Sequence, residues 1–336
     1  MIKIALDVSG GDYAPLEILK GAYSAFKELE NTQIILVGQK EKILSCVQDN
    51  KFKDFDLPIV DASEIIAMDE PAALSVRRKR NSSIVKGIEL LKNKQADAFV
   101  SCGNTGAVVS AAVLGLRLIK GVERPGIGIV VPTKTGTAMM IDVGANIGTK
   151  PNHLLQYAVM ADIYSKKVLK KENPKVGILN IGEEETKGTE FIKETRILFE
   201  KAYFNFIGNI EAKDVYKGVC DCIICDGFLG NVALKISEGL AETVGYFLLD
   251  YLRKDFLGKI GLFLAQNALR KFKRKIDYSE YGGAPLLGVD GIVIIGHGRS
   301  DARAVKSALK VAREEVERNI NDEIRSKIES VYAKIG

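Results

Sequence analysis

The chain has 336 residues, 46% hydrophobic and 27% charged, and a formal net charge of +5. That length holds a large α/β unit or two lobes, and the mild basicity is too weak by itself to argue for nucleic acid. Five cysteines, an odd number in a chain this long, do not form a disulfide framework.

In chain order, MIKIALDV reads as a strand rather than a signal peptide, followed by a helix from about 16 to 29. QIILVG precedes a helix near 41–49, PIVDAS a loop and a helix near 83–95, and ADAFVS the helix after Asn104. IGIVV, AMMIDV, KVGILNIG, NFIGNI, CIICDG and GIVIIG continue the series, and one long helix is expected from about Asp301 to Val331. This alternation predicts an α/β fold with a mostly parallel sheet layered by helices, a single two-lobed catalytic unit spanning 1–336. No stretch approaches the ~20 apolar residues of a membrane span. Together with the cysteine usage, this points to a reducing, cytoplasmic compartment. In VCDCIICDG the cysteines Cys220, Cys222 and Cys225 read as buried core residues rather than zinc ligands, and no metal is expected.

Polar, glycine-rich turns follow the strands: SGGDYAP (9–15), CGNTGA (102–107), DVGAN (142–146), NIGEEETKG (180–188), CDGFLGN (225–231) and GHGRS (296–300). In open α/β sheets ligands bind beyond the carboxyl ends of strands, so these six turns are expected to converge on one crevice. No dinucleotide fingerprint, phosphate-loop motif or serine elbow is present, and there are only two histidines, His153 and His297. Cys102, at a helix start, is either a nucleophile or a small filler. The turns offer amides, Asn104, Thr105, Asn146, Asn231, Lys187 and Lys235, with the acids Asp7, Asp12, Asp142, Glu183, Glu184, Glu185 and Asp226. Such a set suits a substrate that is its own nucleophile. Phosphate is one, with an ionisation near neutrality, and a thiol leaving group of pKa ~8.5 needs little acid help. What remains is positioning and oxyanion stabilisation.

DVSGGDYAP, SVRRKRNSS, SCGNTGA, ERPGIG, DVGAN, GILNIGEEETKGTE, DGFLGN with LKISEG, and EYGGAPLLGVDGIVIIGHG stand in order from residue 7 to 298. Together they resemble the bacterial acyl-carrier-protein:phosphate acyltransferases of phospholipid synthesis. The resemblance implies transfer of a fatty acyl group from acyl carrier protein to inorganic phosphate. The product, acyl phosphate, would serve a membrane glycerol-3-phosphate acyltransferase. It also implies a fold like isocitrate and isopropylmalate dehydrogenases and phosphate acetyltransferases, a homodimer, and no metal or organic cofactor. The chain departs from the family's usual residues at Cys102, Asn81, Arg299 and within DVSGGD.

On this reading Asn104, Thr105 and the amides of Gly103 and Gly106 bind phosphate or the thioester oxygen, and Lys187 adds positive charge. Asn146 and Asn231 orient the acyl carbonyl or phosphate, with Asp142, Glu184 and Asp226 also in the substrate site. His297 donates to phosphate or protonates the thiolate, or else caps its own turn. The acids of EEET would pair with Lys187 or with the RRKR run. Arg77, Arg78, Lys79 and Arg80 are a solvated helix start, or a rim for phosphate or the carrier protein.

A basic amphipathic excursion is expected over 253–282. In RKDFLGKIGLFLAQNALRKFKRKI, Leu257, Ile260, Leu264, Ala268 and Phe272 form one helical stripe. Lys259, Arg270, Lys271, Lys273, Arg274 and Lys275 surround it with positive charge. Such a helix reads as contact with a membrane surface or with the carrier protein, giving peripheral association with the inner face of the cell membrane. The alternatives are a phosphotransacetylase-like enzyme acting on acyl-CoA and a non-catalytic membrane scaffold of lipid synthesis.

Overall fold

A computed structural model describes residues 1–50, 52, 55–254, 256–276 and 282–335, without the side chains of 273–276 and 332–335. The strands are β1 (Ile2–Asp7), β2 (Thr32–Gly38), β3 (Ile59–Asp61), β4 (Ala98–Ser101), β5 (Gly126–Thr133), β6 (Gly136–Ile141), β7 (Lys175–Asn180), β8 (Asn205–Glu211), β9 (Cys222–Ile224), β10 (Ala284–Leu287) and β11 (Ile292–Ile295). The helices are α1 (Leu16–Phe26), α2 (Lys40–Asp49), α3 (Ala72–Arg78), α4 (Ser83–Lys92), α5 (Thr105–Leu116), α6 (Pro151–Lys167), α7 (Glu190–Glu200), α8 (Gly227–Lys254), α9 (Phe256–Ile276), α10 (Ala302–Glu317) and α11 (Ile320–Ile335).

One eleven-stranded sheet runs in the order β3-β2-β1-β4-β11-β10-β5-β6-β9-β7-β8. The pairings β1–β2, β2–β3, β1–β4 and β4–β11 are parallel, as are β6–β9, β9–β7 and β7–β8. Between these halves β10 is antiparallel to both β11 and β5, and β5 is antiparallel to β6. The two parallel halves therefore run in opposite directions. The outer strands are β3, of three residues, and β8, whose pairing with β7 shifts register at Val176/Gly177.

The period of two along the strands divides the core. Ile4, Leu6, Ala98, Val100, Ile292 and Ile294 face one cluster, while Ala5, Phe99, Val293 and Ile295 face the other. The first cluster is filled by α1, α6 and α10, and the second by α4 and α5. α6 is buried on every side from His153 to Ser165, and its buried polar residues find partners, Gln156 with the Glu123 amide and Asp162 with Lys166 and Tyr203.

Three expectations are corrected. Arg77 and Arg78 end a helix, α3, rather than starting one. The last long helix is two, because Asn319 turns left-handed (φ 51°) between α10 and α11. The basic stretch from 253 begins in the last turn of α8, and the excursion is a hairpin of α8 and α9. Its tail, 277–281, and Asp255 lie outside the described residues.

Candidate functional site

The six turns do not share one end of the sheet. The segments 8–15, 102–107 and 296–300 follow β1, β4 and β11. The segments 142–146, 180–188 and 225–231 follow β6, β7 and β9, which run the other way. The turns thus form two sets that follow strands of opposite direction, and Arg299 of the first set lies 3.9 Å from Glu242 on α8, the helix that starts in the second. Alternation of strands and helices gives no direction to a strand, so this reversal is invisible in the sequence.

In the first set three backbones touch. A Cβ on Gly10 would lie 2.7 Å from the Gly103 amide nitrogen, and one on Gly11 (φ 103°) 3.1 Å from the Gly298 oxygen. The Asp12 amide donates to that same Gly298 oxygen at 2.7 Å. Asp7, fully buried at the end of β1, accepts from the amides of Ser9 (2.9 Å) and Gly10 (3.1 Å) and from the Ser101 hydroxyl (2.7 Å). Burial pushes its carboxyl up from the ordinary aspartate range.

Asn104 is the N-cap of α5. Its Oδ1 accepts from the Ala107 amide at 3.0 Å, and its Nδ2 donates to the carbonyls of Ala67, Met68 and Glu70, each at 3.1 Å. The side chain assigned to phosphate from sequence is therefore committed to holding the loop before α3. Gly103 is buried, and its amide donates to Ser101 Oγ at 3.1 Å. Thr105 and Gly106 are exposed, and their amides have no partner among the described residues. Elsewhere side chains close such ends: Asp226 accepts from the amides of Phe228 and Leu229, and Asp301 from those of Arg303 and Ala304. The open first turn of α5 thus offers two donors and the positive end of its dipole.

α3 lies against that turn, and a Cβ on Gly106 would meet the Ala72 side chain at 2.9 Å. Lys79 is held by Glu70 (2.5 Å) and the Ile65 carbonyl (2.7 Å), which holds the Glu70 carboxyl down to about 2. Arg77, Arg78 and Arg80 are exposed and have no ion-pair partner among the described residues. His297 is half-buried, and its Nδ1 accepts from the Arg299 amide at 3.1 Å. Cys102 is buried, and desolvation pushes its thiol up to about 12. A neutral, enclosed thiol is a filler and no nucleophile.

In the second set Asp142, fully buried, accepts from the amides of Ile127, Gly144, Ala145 and Asn146 between 2.8 and 3.1 Å, and from Asn146 Nδ2 at 3.0 Å. Burial still raises its carboxyl. Asn146 Nδ2 also reaches the Pro125 oxygen at 2.5 Å, so Asp142 and Asn146 build their turn. Asp226 caps α8, whereas Asn231 is exposed beside Gly144. Lys187 is exposed on the turn after β7, a strand that runs opposite to the β4 that leads into α5. The neighbouring acids pair elsewhere, Glu183 with Lys213 (3.5 Å) and Glu185 with Arg196, and Glu184 is exposed. Lys235 pairs with Glu238 at 2.8 Å. Glu183, Glu211 and Asp214 come together, but Lys213 lies 2.6 Å from Glu211 and Lys217 2.7 Å from Asp214, so cations already balance them.

The α8–α9 hairpin carries the remaining candidates. Lys259 and Lys271 are exposed, and Leu264 is 76% exposed beside Phe263 at 77%. The side chains of Lys273 and Arg274 lie outside the described residues. Cys220, Cys222 and Cys225 are buried, and desolvation raises each thiol. Sequence reading ranked Asp7 as one acid among seven and missed Ser101 and the 67–70 loop. An aspartate ending a strand before two glycines was the available signal.

The sheet defines a class, α/β proteins with a phosphotransacylase-like fold. A phosphotransacetylase from Streptococcus pyogenes superposes with a TM-score of 0.65 at 16% identity, covering 94% of each chain. A protein described as a 4-hydroxythreonine-4-phosphate dehydrogenase from Salmonella typhimurium superposes at 0.56 and 11%, over 94% of this chain and 99% of that one. The family described as "Fatty acid synthesis protein" matches residues 2–323. The phosphate acyltransferase of Dictyoglomus turgidum is 48% identical over 96% of both chains. That of Pelotomaculum thermopropionicum is 48% identical over 99% of this chain and 97% of the relative. The chain belongs to the phosphate acyltransferase family, and it is a transferase that moves acyl groups to phosphate.

Proposed function

We propose that the enzyme takes a fatty acyl group from acyl-acyl carrier protein and transfers it to orthophosphate, giving acyl phosphate for phosphatidic acid synthesis. The observation that carries this reading is the open first turn of α5, where the Thr105 and Gly106 amides have no partner among the described residues and lie beside α3, whose Arg77 and Arg78 are exposed and without an ion-pair partner among them. A phosphate oxygen attacks the thioester carbonyl carbon, and a C–O bond forms. The carbonyl becomes an oxyanion, which preorganised donors stabilise. The C–S bond then breaks, and the thiolate leaves and takes a proton, with His297 as the candidate donor. No acyl-enzyme forms, and the only cysteine in this set of turns, Cys102, is enclosed and neutral. Exposed arginines attract an acidic carrier protein by long-range steering. Lys187, Glu184, Asp226 and Asn231 line a second rim whose use in carrier or acyl-chain contact is part of this reading, while Asp142 and Asn146 support it from beneath.

The hairpin supports peripheral attachment to the inner face of the membrane. No described helix is long and apolar enough to cross a bilayer, yet Phe256, Leu257, Phe263 and Leu264 are each more than 70% exposed next to basic residues. The row Ile236, Leu240 and Val244 on α8, 56–65% exposed, offers surface to a second copy, as a homodimer requires. Delivery of acyl phosphate to a membrane glycerol-3-phosphate acyltransferase follows from such attachment.

The test is direct. Purified protein, phosphate and palmitoyl carrier protein should release free thiol and form an acyl phosphate trapped by hydroxylamine. Thiol release confined to short acyl-CoA would replace this reading with a phosphotransacetylase activity. No phosphate-dependent release from either donor would sink it.

A further inference from the structure

Asp7 takes part in no step above, yet it is a carboxylate with no exposed surface at the hub of the three touching turns. Its Oδ1 gathers the Ser9 and Gly10 amides, and its Oδ2 receives the Ser101 hydroxyl at 2.7 Å. Ser101 Oγ in turn accepts from the Gly103 amide at 3.1 Å, two residues before the first free amide of α5. Ser83, buried at the start of α4, is a further hydrogen-bond partner of the same carboxyl. One side chain therefore links β1, the 8–11 turn, β4, the start of α5 and the start of α4. The spacing leaves no slack, because a Cβ on Gly10 would sit 2.5 Å from Asp7 Oδ2 and 2.8 Å from Gly103 Cα.

We propose that Asp7, acting through Ser101, is a positioning residue for phosphate: it sets the Gly103 peptide and so aims the Thr105 and Gly106 amides at one anion position. This rests on the reading that orthophosphate binds at the start of α5. A purely structural role could be filled by any group satisfying the Ser9 and Gly10 amides. Asparagine does that with its oxygen, but its NH2 then donates to Ser101 Oγ, which already accepts from Gly103. The Ser101 proton must turn elsewhere, and the link reverses polarity. The Ser9 and Gly10 amides and the Ser101 and Ser83 hydroxyls favour the charged form against the burial that disfavours it, and a link to the charged form is charge-assisted, stronger than a neutral pair.

The experiment compares wild type, Asp7→Asn and Ser101→Ala in the thiol-release assay, varying phosphate and palmitoyl carrier protein separately, with a thermal melt of each protein. Asp7→Asn should raise the KM for phosphate about tenfold, the loss of one charge-assisted hydrogen bond. The KM for the carrier substrate should stay within twofold. Ser101→Ala, which keeps the carboxylate and cuts only the link to Gly103, should shift the same parameter in the same direction. This second variant decides the matter if Asp7→Asn does not fold. A lowered melting temperature with an unchanged phosphate KM in the folded variants would overturn the proposal and leave Asp7 a fold residue. Inactive wild type would instead sink the functional reading, so the two failures are distinguishable.

Discussion

The Nδ2 atom of Asn104 stands 3.1 Å from the carbonyl oxygen of Glu70, and the same group reaches the carbonyls of Ala67 and Met68. One amide thus braces the backbone of the loop before α3, while its oxygen caps α5. Asn104→Ala should destabilise the protein by about 2–3 kcal/mol, from a lost cap and carbonyls left unpaired. Asn104→Asp keeps the cap but turns an anion toward three carbonyl oxygens, and should be at least as harmful. Urea denaturation of the three proteins checks both. Equal stability of the alanine variant and wild type would refute the brace.

Cys102 provides a second test. Because burial pushes its thiol up to about 12, it is uncharged near neutral pH. Cys102→Ala should keep turnover within a fewfold and lower stability by about 1 kcal/mol, the scale of one small deleted buried group. Mass spectrometry of quenched wild type should find no acylated side chain. A stable acyl-Cys102 adduct would contradict the direct-attack mechanism.

Glu315 predicts a pH dependence. It is buried on α10, its Oε1 has no partner among the described residues, Tyr164 is its hydrogen-bond partner, and desolvation pushes its carboxyl up to about 8 from 4.5. Below 4.5 both states hold the proton, and the group adds no pH dependence. Between 4.5 and about 8 only the folded chain holds it, so stability falls as pH rises, by up to roughly 1 kcal/mol per unit. Above that window the effect levels off. The raised carboxyls of Asp7 and Asp142 act in the same sense. Glu315→Gln should flatten the slope measured by denaturation between about pH 5 and pH 8. An unchanged slope would show that Glu315 is not its source.

Leu264 tests the hairpin. Its side chain is 76% exposed, so Leu264→Glu disturbs no core. The substitution should reduce flotation with anionic liposomes about tenfold or more, since it removes an apolar side chain and adds repulsion. Activity toward soluble carrier substrate should be retained. Unchanged flotation would dismiss the membrane reading of this hairpin.

Arg77 and Arg78 test the approach of the carrier protein. With no ion-pair partner among the described residues, they should tolerate replacement by alanine with folding intact. The KM for the acyl carrier substrate should rise severalfold, kcat should hold, and inhibition by added salt should weaken. An unaltered KM and salt response would place carrier docking elsewhere.

Much of this architecture could be read from residues alone. The alternation in IKIALD and AFVS, and the polar cap before TGAVV, located β1, β4 and α5 because those signals are local. β10 escaped notice, since APLL is short and follows two glycines. The hidden break at Asn319 had no glycine or proline to announce it. Above all, the relation between the turns depends on strand direction, set by where β10 and β5 insert, and no local pattern encodes that. For the same reason the residues named around α5 came together, while Lys187, Asp142 and Asn231 follow strands of the other direction. Asn104 stood out correctly as a polar residue in a special place, but a cap and a ligand donor look alike until its partners are known.

The sheet ends on a three-residue strand at one side and a strand with a register shift at the other. Neither margin offers a long flat row of peptide groups on which another chain could template itself. Edge-to-edge growth of one sheet onto another, the route to open-ended polymers, is thereby disfavoured.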